Sequence, residues 1–182
     1  MSTQTSNRTA ETKPMFAEDI ITHAGARMVL AAGRLIMGWT FLWAFIDKLF
    51  GMGFSTQPEA AWIRGGTPAQ GYISRIEEPL AGFFQPLFLN PFGDWLFMIG
   101  LAGLGLALML GVGLKIAAVT GTLLLGLLWV SQFPPVVGGT NPITTSHWVE
   151  AAVVIISALT LAGDTWGLGR WWASKVGNSW LR

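Results

Sequence analysis

The sequence has 182 residues, of which 52% are hydrophobic and only 12% are charged, about half the charged fraction of an ordinary soluble domain. Its net charge of +1 without a basic cluster argues against nucleic acid as a partner, and the absence of cysteine excludes disulfides, thiol relays and thiolate-held metals. Long uncharged runs in such a chain indicate an integral membrane protein, whose redox role, if it has one, must use a bound cofactor or a partner subunit.

The first 27 residues are predicted to stay outside the bilayer. Residues 1–14 are rich in Ser, Thr, Gln and Asn, which predicts a disordered tail, and they contain no apolar run of the kind that a cleaved signal peptide requires. Residues 15–27 mix apolar and charged side chains, a pattern typical of a short interfacial helix that leads into the first span.

Four apolar stretches are predicted to cross the bilayer, which takes about 20 helical residues each. Lys115 alone separates the second from the third, and the fourth begins with Asn141 as N-cap and Pro142 as first helical residue. The predicted spans are residues 28–50, 95–114, 116–133 and 142–163. The fold class is therefore an all-α, integral membrane four-helix bundle over residues 28–171, with a tail at 172–182.

Glycines in the second and third spans are predicted to let helices approach closely. They are Gly100, Gly103, Gly105, Gly121 and Gly126. The loop between the first two spans, residues 52–92, is too long for a simple connection and is predicted to contain small structured elements. Within it, residues 65–71 (GGTPAQG) predict a tight turn that packs the loop.

The distribution of Lys and Arg predicts the orientation. Most of these residues fall on the side of the two termini, so both termini are predicted to be cytoplasmic and the long loop and the 134–141 connection external. The cytoplasmic set is Arg8, Lys13, Arg27, Lys115, Arg170, Lys175 and Arg182, against Arg64 and Arg75 outside.

The first span carries Arg34 near its start and Asp47-Lys48 near its end. At the margin of a span, a charged side chain needs an ion-pair partner, contact with water or a functional role. Arg34 and Lys48 are fourteen residues apart, as are Glu150 and Asp164 in the antiparallel fourth span. This register predicts two ion pairs, Arg34–Asp164 and Lys48–Glu150. The alternative is that Arg34 and Lys48 only snorkel to the interfaces. Asp47, about 100 degrees around the helix from Lys48, is predicted to point elsewhere, toward the outer loop.

Polar side chains also converge at the outer end of the predicted bundle. His147 and Glu150 are i,i+3 neighbours, a spacing at which a carboxylate fixes one imidazole tautomer, so the pair can shuttle a proton. A capped, solvent-facing helix start is the alternative. Two histidines are too few for a metal site, so none is predicted. The candidate catalytic residues are Asp47, His147 and Glu150, and the candidate ligand-binding residues are Trp43, Lys48, Trp129, Gln132 and Asn141.

Tryptophans sit near the outer end of each predicted span: Trp43, Trp95, Trp129 and Trp148. They predict either an aromatic belt at the headgroup level or an aromatic-walled pocket for a flat ligand such as a quinone ring.

A series of short motifs resembles the DoxX/DoxD family of small four-helix membrane proteins. The motifs extend from about residue 34 to residue 171. They are Arg34-Leu35, Gly38, Phe41-Leu42, residues 47–51 (DKLFG), Trp62-Ile63, residues 65–71, Asn141-Pro142, His147 and residues 163–169 (GDTWGLG). The resemblance implies a multi-pass protein of the prokaryotic plasma membrane tied to respiratory or sulfur and thiol redox chemistry, in some members as the membrane subunit of a thiosulfate:quinone oxidoreductase. It also implies a redox partner protein or second subunit.

Three functions remain open from the sequence. The first is a quinone-linked oxidoreductase subunit that binds quinone non-covalently at the outer end of the bundle and handles its protons. The second is a non-catalytic membrane anchor or scaffold that docks a redox partner. The third and weakest is a small transporter, because four spans without an internal repeat do not resemble a transporter fold.

Overall fold

The computed structural model describes residues 13–132, 141 and 143–182, and these residues form α-helices, 3₁₀ turns and connecting loops without a β-strand. The predicted disordered tail therefore falls almost wholly outside the described residues, as do Pro134-Pro135 and Pro142. The helices are α1 (Ala17–Ile20), α2 (Ala24–Phe50), α3 (Gln70–Ile73), α4 (Ala81–Phe88), α5 (Pro91–Leu110), α6 (Leu114–Val130), α7 (Ser146–Leu159) and α8 (Gly169–Val176). The all-α class is confirmed.

Two of these helices, α2 with 27 residues and α5 with 20, are long and apolar enough to cross a membrane. The shorter apolar helices α6 and α7 have 17 and 14 residues. At about 1.5 Å per residue they rise roughly 26 and 21 Å, less than the hydrocarbon thickness of about 30 Å. Helices α2 and α5 are thus the evidence for membrane association, and the prediction that the chain crosses the bilayer four times stays a prediction.

Helix boundaries differ from the prediction where local backbone chemistry decides them. Helix α5 begins at Pro91, four residues early, because the Asn90 side chain accepts a hydrogen bond from Gly93 N and Pro91 occupies the first turn. It ends before Gly111 and Gly113, whose φ angles of 73° and 63° break the helix, rather than at Lys115.

The start and the end of the predicted fourth span are also wrong. Asn141 does not cap α7: its side chain accepts from Ile143 N and Thr144 N in a turn, and Thr145 is the N-cap. The helix ends at Leu159, before Leu161 with its positive φ of 51° and the 3₁₀ turn Ala162–Asp164.

The four long helices pack in a ring in which α2 and α6 each contact both α5 and α7. The shared core contains side chains from all four helices, including Phe41, Leu104, Leu125 and Val154. We call the end that carries Phe50 and Pro91 the outer end and the end that carries Leu110 and Leu114 the inner end, after the predicted orientation. Consecutive long helices run in opposite directions between these ends.

Two glycines bring the backbones of α2 and α5 together. A Cβ atom at Gly38 would lie 2.8 Å from Met109 N, and one at Gly105 would lie 2.7 Å from Leu42 N. Gly121 is also tight, since a Cβ there would lie 3.0 Å from the Leu104 side chain. The predicted role in close packing therefore holds for Gly105 and Gly121. It does not hold for Gly100, Gly103 and Gly126, which face either ordinary contacts or open space.

The outer loop is structured, as predicted. After α2 it forms the 3₁₀ turns Pro58–Ala60 and Trp62–Arg64, followed by α3 and α4, which pack against each other and against α5. Buried Phe84 of α4 contacts Ile73 and Ile76 in a small second core. A Cβ atom at Gly66 would lie 2.0 Å from Ala60 O, so the tight turn at residues 65–71 requires glycine there.

The α2/α5 contact generates a test with an internal control. We expect Gly105→Ala to destabilise the protein by about 1–3 kcal/mol, because the new methyl group meets backbone that cannot move aside. Gly103→Ala, in the same helix but with no atom within 4 Å of its Cβ position, should be neutral or slightly stabilising. Thermal unfolding midpoints in one detergent measure both, and equal midpoints would contradict the close contact.

Candidate functional site

Arg34 is fully buried at the inner end and uses all five of its N–H donors on backbone carbonyl oxygens. Nη1 donates to Leu108 O and to Met109 O (3.1 Å) at the end of α5. The remaining donors reach the turn after α7: Nε donates to Ala162 O (3.3 Å), and Nη2 donates to Thr165 O (3.2 Å) and Trp166 O (2.9 Å).

The predicted Arg34–Asp164 pair is wrong. The guanidinium instead binds carbonyl oxygens at the end of α5 and after α7, and those of Leu108 and Met109 carry the negative end of the α5 dipole. Gly111 and Gly163 let the segment after α5 and the turn after α7 come into backbone contact, since a Cβ at Gly163 would lie 2.1 Å from Gly111 O. Arg34 is thus a structural residue, although its partners are oxygens of the backbone.

Asp164 instead forms a buried ion pair with Arg182, at 2.9 Å between Oδ2 and Nη2. Its Oδ2 also accepts a hydrogen bond from Ala17 N, at 2.9 Å. Arg182 Nη1 donates to Met15 O, so this pair fastens the N-terminal segment to the C-terminal one.

A second, exposed contact supports the same junction. Arg170 Nη2 donates to the Glu18 carboxylate at 2.6 Å, and this hydrogen bond lowers the pKa of Glu18 and raises the pKa of Arg170. The centre of the Phe16 ring lies 5.0 Å from the guanidinium of Arg170 and 5.4 Å from that of Arg182. The short helix α1 is therefore attached to the bundle at three points.

At the outer end, Asp47 is 1% exposed and binds the loop that follows its own helix. Its carboxylate accepts from Phe54 N (3.2 Å), Ser55 N (2.9 Å) and Ser55 Oγ (2.6 Å). The prediction that Asp47 points to the outer loop is confirmed. Burial and three hydrogen bonds within the chain give Asp47 a structural role, and its assignment as a catalytic candidate finds no support.

The predicted Lys48–Glu150 pair is also wrong. Lys48 Nζ donates to Ser55 Oγ (3.3 Å) and lies 5.9 Å from the centre of the Phe97 ring on α5. It therefore faces α5 and the outer loop, whereas Glu150 is engaged by His147 on its own helix. Lys48 takes no part in the pocket described below, so its assignment as a ligand-binding candidate finds no support.

Asp94, a residue that the sequence reasoning missed, holds the other part of the outer loop. It is 4% exposed in the first turn of α5 and accepts from Ala69 N (2.7 Å), Gln70 N (3.1 Å) and the Gln70 side chain. The signal was the Asn90-Pro91 start of α5, which places Asp94 in a first helical turn, where a carboxylate is favoured.

The His147–Glu150 contact is confirmed. His147 Nδ1 lies 3.3 Å from Glu150 Oε2, and the side chains are 20% and 23% exposed. His147 Nε2 lies 3.2 Å from the Gln132 amide nitrogen, which can only donate. The hydrogen-bond network therefore indicates the tautomer with the proton on Nδ1, directed at the carboxylate.

His147 also lines a pocket of about 210 Å³ between α6 and α7. Trp129 and Trp148 form its aromatic wall, with ring centroids 5.1 Å apart and nearly perpendicular planes. Trp129 Nε1 donates to Ile143 O (2.8 Å), so the turn capped by Asn141 supports the wall. Thr122 lines the same pocket, and its buried hydroxyl has no hydrogen-bond partner among the described residues.

The other outer tryptophans lie elsewhere, so there is no single wall of four. Trp43 packs against Trp39 and Phe54, with centroids 5.7 and 5.2 Å away, and Trp62 packs against Trp95 at 4.7 Å. Trp43 is therefore not part of the pocket, and its assignment as a ligand-binding candidate finds no support. Within the described ranges, no group of three His, Cys, Asp or Glu side chains could hold a metal ion.

Comparison of the chain with family models, curated proteins and solved structures finds no match. The resemblance to the DoxX/DoxD family accordingly stays a prediction from the motifs.

The Arg34 site generates a test. We expect Arg34→Lys to cost at least about 3 kcal/mol, because an ammonium group with three donors leaves buried carbonyl oxygens unsatisfied. The control is Arg27→Lys in the same helix, since Arg27 donates to Ile21 O and Thr22 O and a lysine can do the same. Folded yield and thermal midpoint in detergent measure the difference. If both variants behaved alike, the five-carbonyl site would not be holding the helices together.

Proposed function

We propose that this chain is a multi-pass subunit of the prokaryotic plasma membrane that serves respiratory or sulfur and thiol redox chemistry and contacts quinone at its outer end. The motifs resembling the DoxX/DoxD family support the redox context. The pocket at His147 carries the quinone assignment.

A membrane bundle with cytoplasmic termini is part of this proposal. Helices α2 and α5 are long enough to cross, and α6 and α7 share one apolar core with them, so all four would enter the same bilayer. Lys115, Arg170 and Arg182 all lie at the inner end, and the number of Lys and Arg residues, more than the net charge, favours the cytoplasmic side.

The pocket at His147 has the size and the groups that a quinone ring requires. Its volume of about 210 Å³ is below the roughly 300–1,000 Å³ of pockets for larger ligands, so a single ring fits it better than an extended substrate. Trp129 and Trp148 would pack against the ring. The His147 imidazole would bind one of its oxygen atoms, and this imidazole beside the aromatic wall is the observation that favours a flat ring with a polar edge.

The residues around the pocket are arranged to handle protons. A quinone, when bound, supplies two-electron, two-proton chemistry. Glu150 accepts from His147 Nδ1 and so holds one imidazole tautomer, and both side chains are partly exposed, so they can exchange protons with water. The electrons would come from a partner protein, since the chain has no cysteine for an iron–sulfur cluster.

A non-catalytic scaffold is the second candidate, and the outer loop favours it. Asp47 and Asp94 fix the loop at two points, which gives a rigid surface. That surface exposes large apolar side chains, including Phe54 (74% exposed) and Ile63 (59%). Exposed apolar groups on a rigid loop are typical of a protein or membrane contact.

Binding of a short-tail quinone to the purified protein distinguishes the two candidates. We expect His147→Asn to weaken binding about tenfold, the effect of losing one hydrogen bond to the ligand, and Glu150→Gln, at a residue that does not line the pocket, to weaken it less. His23→Asn is the matched control, because His23 is an N-cap at the inner end and asparagine caps equally well. Asp47→Asn should lower the thermal midpoint and leave the affinity of the folded protein unchanged.

Two results would overturn the quinone assignment. One is a wild-type protein that neither retains quinone from native membranes nor binds it in the titration. The other is equal affinity in the His147→Asn and His23→Asn variants. Co-purification of a redox protein without quinone would favour the scaffold.

A further inference from the structure

We propose that an anionic phospholipid binds at the inner end of the bundle, in a groove between α6 and α7. The groove has a volume of about 590 Å³ and is separate from the His147 pocket. Ala118 and Val119 of α6 form one wall, and Ile155 and Leu159 of α7 form the other. Met15 and Trp180, from the N-terminal and C-terminal segments, line its mouth.

Two cationic side chains line this mouth, and Lys115 has donors that are free to bind a ligand. Lys115 Nζ has three N–H donors and donates one hydrogen bond to Ser179 O, at 3.0 Å. Arg182 is 5% exposed, and its buried Nε has no hydrogen-bond partner within the part of the chain that the structure describes. Asp164 balances the charge of Arg182, so Lys115 supplies the net positive charge that a phosphodiester would neutralise.

The apolar part of the groove matches an acyl chain. Val119 and Leu159 are 45% and 69% exposed although both are apolar, and Val119 lies about one turn along α6 from Lys115, away from the polar mouth. Trp171 and Trp180, 55% and 60% exposed at the same end, are the residues that a membrane interface favours at headgroup depth. This assignment rests on the membrane placement proposed above and not on the quinone site.

The combination points to a lipid and not to free phosphate or a second copy of the chain. Free phosphate would use the cationic mouth and leave the apolar walls bare, whereas a helix of a second copy would cover the walls and leave Lys115 without an anion. An anionic phospholipid satisfies both parts, as in other basic pockets between membrane helices on the cytoplasmic side.

Native mass spectrometry of the full chain in detergent tests the proposal, with phosphatidylglycerol and phosphatidylcholine of equal chain length as probes. We expect phosphatidylglycerol to bind about fivefold more tightly, the gain associated with one cation near an anionic lipid. Lys115→Gln should remove this preference. Lys175→Gln is the matched control, because Lys175 is exposed on α8 at the same end and does not line the groove. Val119→Trp, which fills the groove, should weaken binding of both lipids.

Several outcomes would overturn the lipid site. Equal affinity for the two lipids would reduce it to an apolar surface, and equal losses in Lys115→Gln and Lys175→Gln would reduce it to diffuse attraction. Displacement of the lipid by millimolar inorganic phosphate would assign the mouth to a free anion. A dimer that Val119→Trp abolishes would assign the walls to a second copy. Quinone affinity should be unchanged in Lys115→Gln, so failure here is distinguishable from failure of the proposed function.

Discussion

The arrangement of the helices depends on the hydrogen bonds between Arg34 and five carbonyl oxygens. These oxygens lie at the end of α5 and in the turn after α7, so one side chain from α2 joins three parts of the ring. Only a guanidinium has five donors in a fixed planar array, and burial makes each unmade hydrogen bond costly. With the inner end fixed in this way, α2 and α5 lie backbone to backbone at Gly38 and Gly105, where any side chain would push them apart.

At the outer end, too, buried charged side chains bind backbone groups, but there the side chains are carboxylates. Asp47 and Asp94 are buried carboxylates, and each accepts backbone N–H groups from the outer loop. In both places a charged side chain at the margin of an apolar helix satisfies the polar backbone of an adjoining loop. Such loops contain backbone N–H and C=O groups that would otherwise lack hydrogen-bond partners. A charged side chain therefore binds these groups in preference to a side chain on a neighbouring helix.

This competition explains which site residues could be predicted from the sequence. The order of the long helices, the i,i+3 contact between His147 and Glu150, and the direction of Asp47 follow from helical geometry alone, and all three are confirmed. The two predicted ion pairs follow from a fourteen-residue spacing on each of two antiparallel helices. That spacing takes no account of the polar groups in the turns at the ends of the helices. Asp164 therefore received the wrong partner, and Asp94 was overlooked because the span was started one residue after it.

The two halves of the ring differ in a way that bears on function. Helices α2 and α5 have glycine-mediated backbone contacts, and their buried charges are committed to loops. Helices α6 and α7 leave two openings along their contact, and a further groove of about 630 Å³ lies between α5 and α6. On α6 the two openings toward α7 are lined by Lys115, Ala118, Val119, Thr122, Leu125, Gly126 and Trp129, whose spacings of three and four place them on one helical face. The quinone and the lipid proposed above would therefore both bind along α6 and α7, and α2 and α5 would support these two helices.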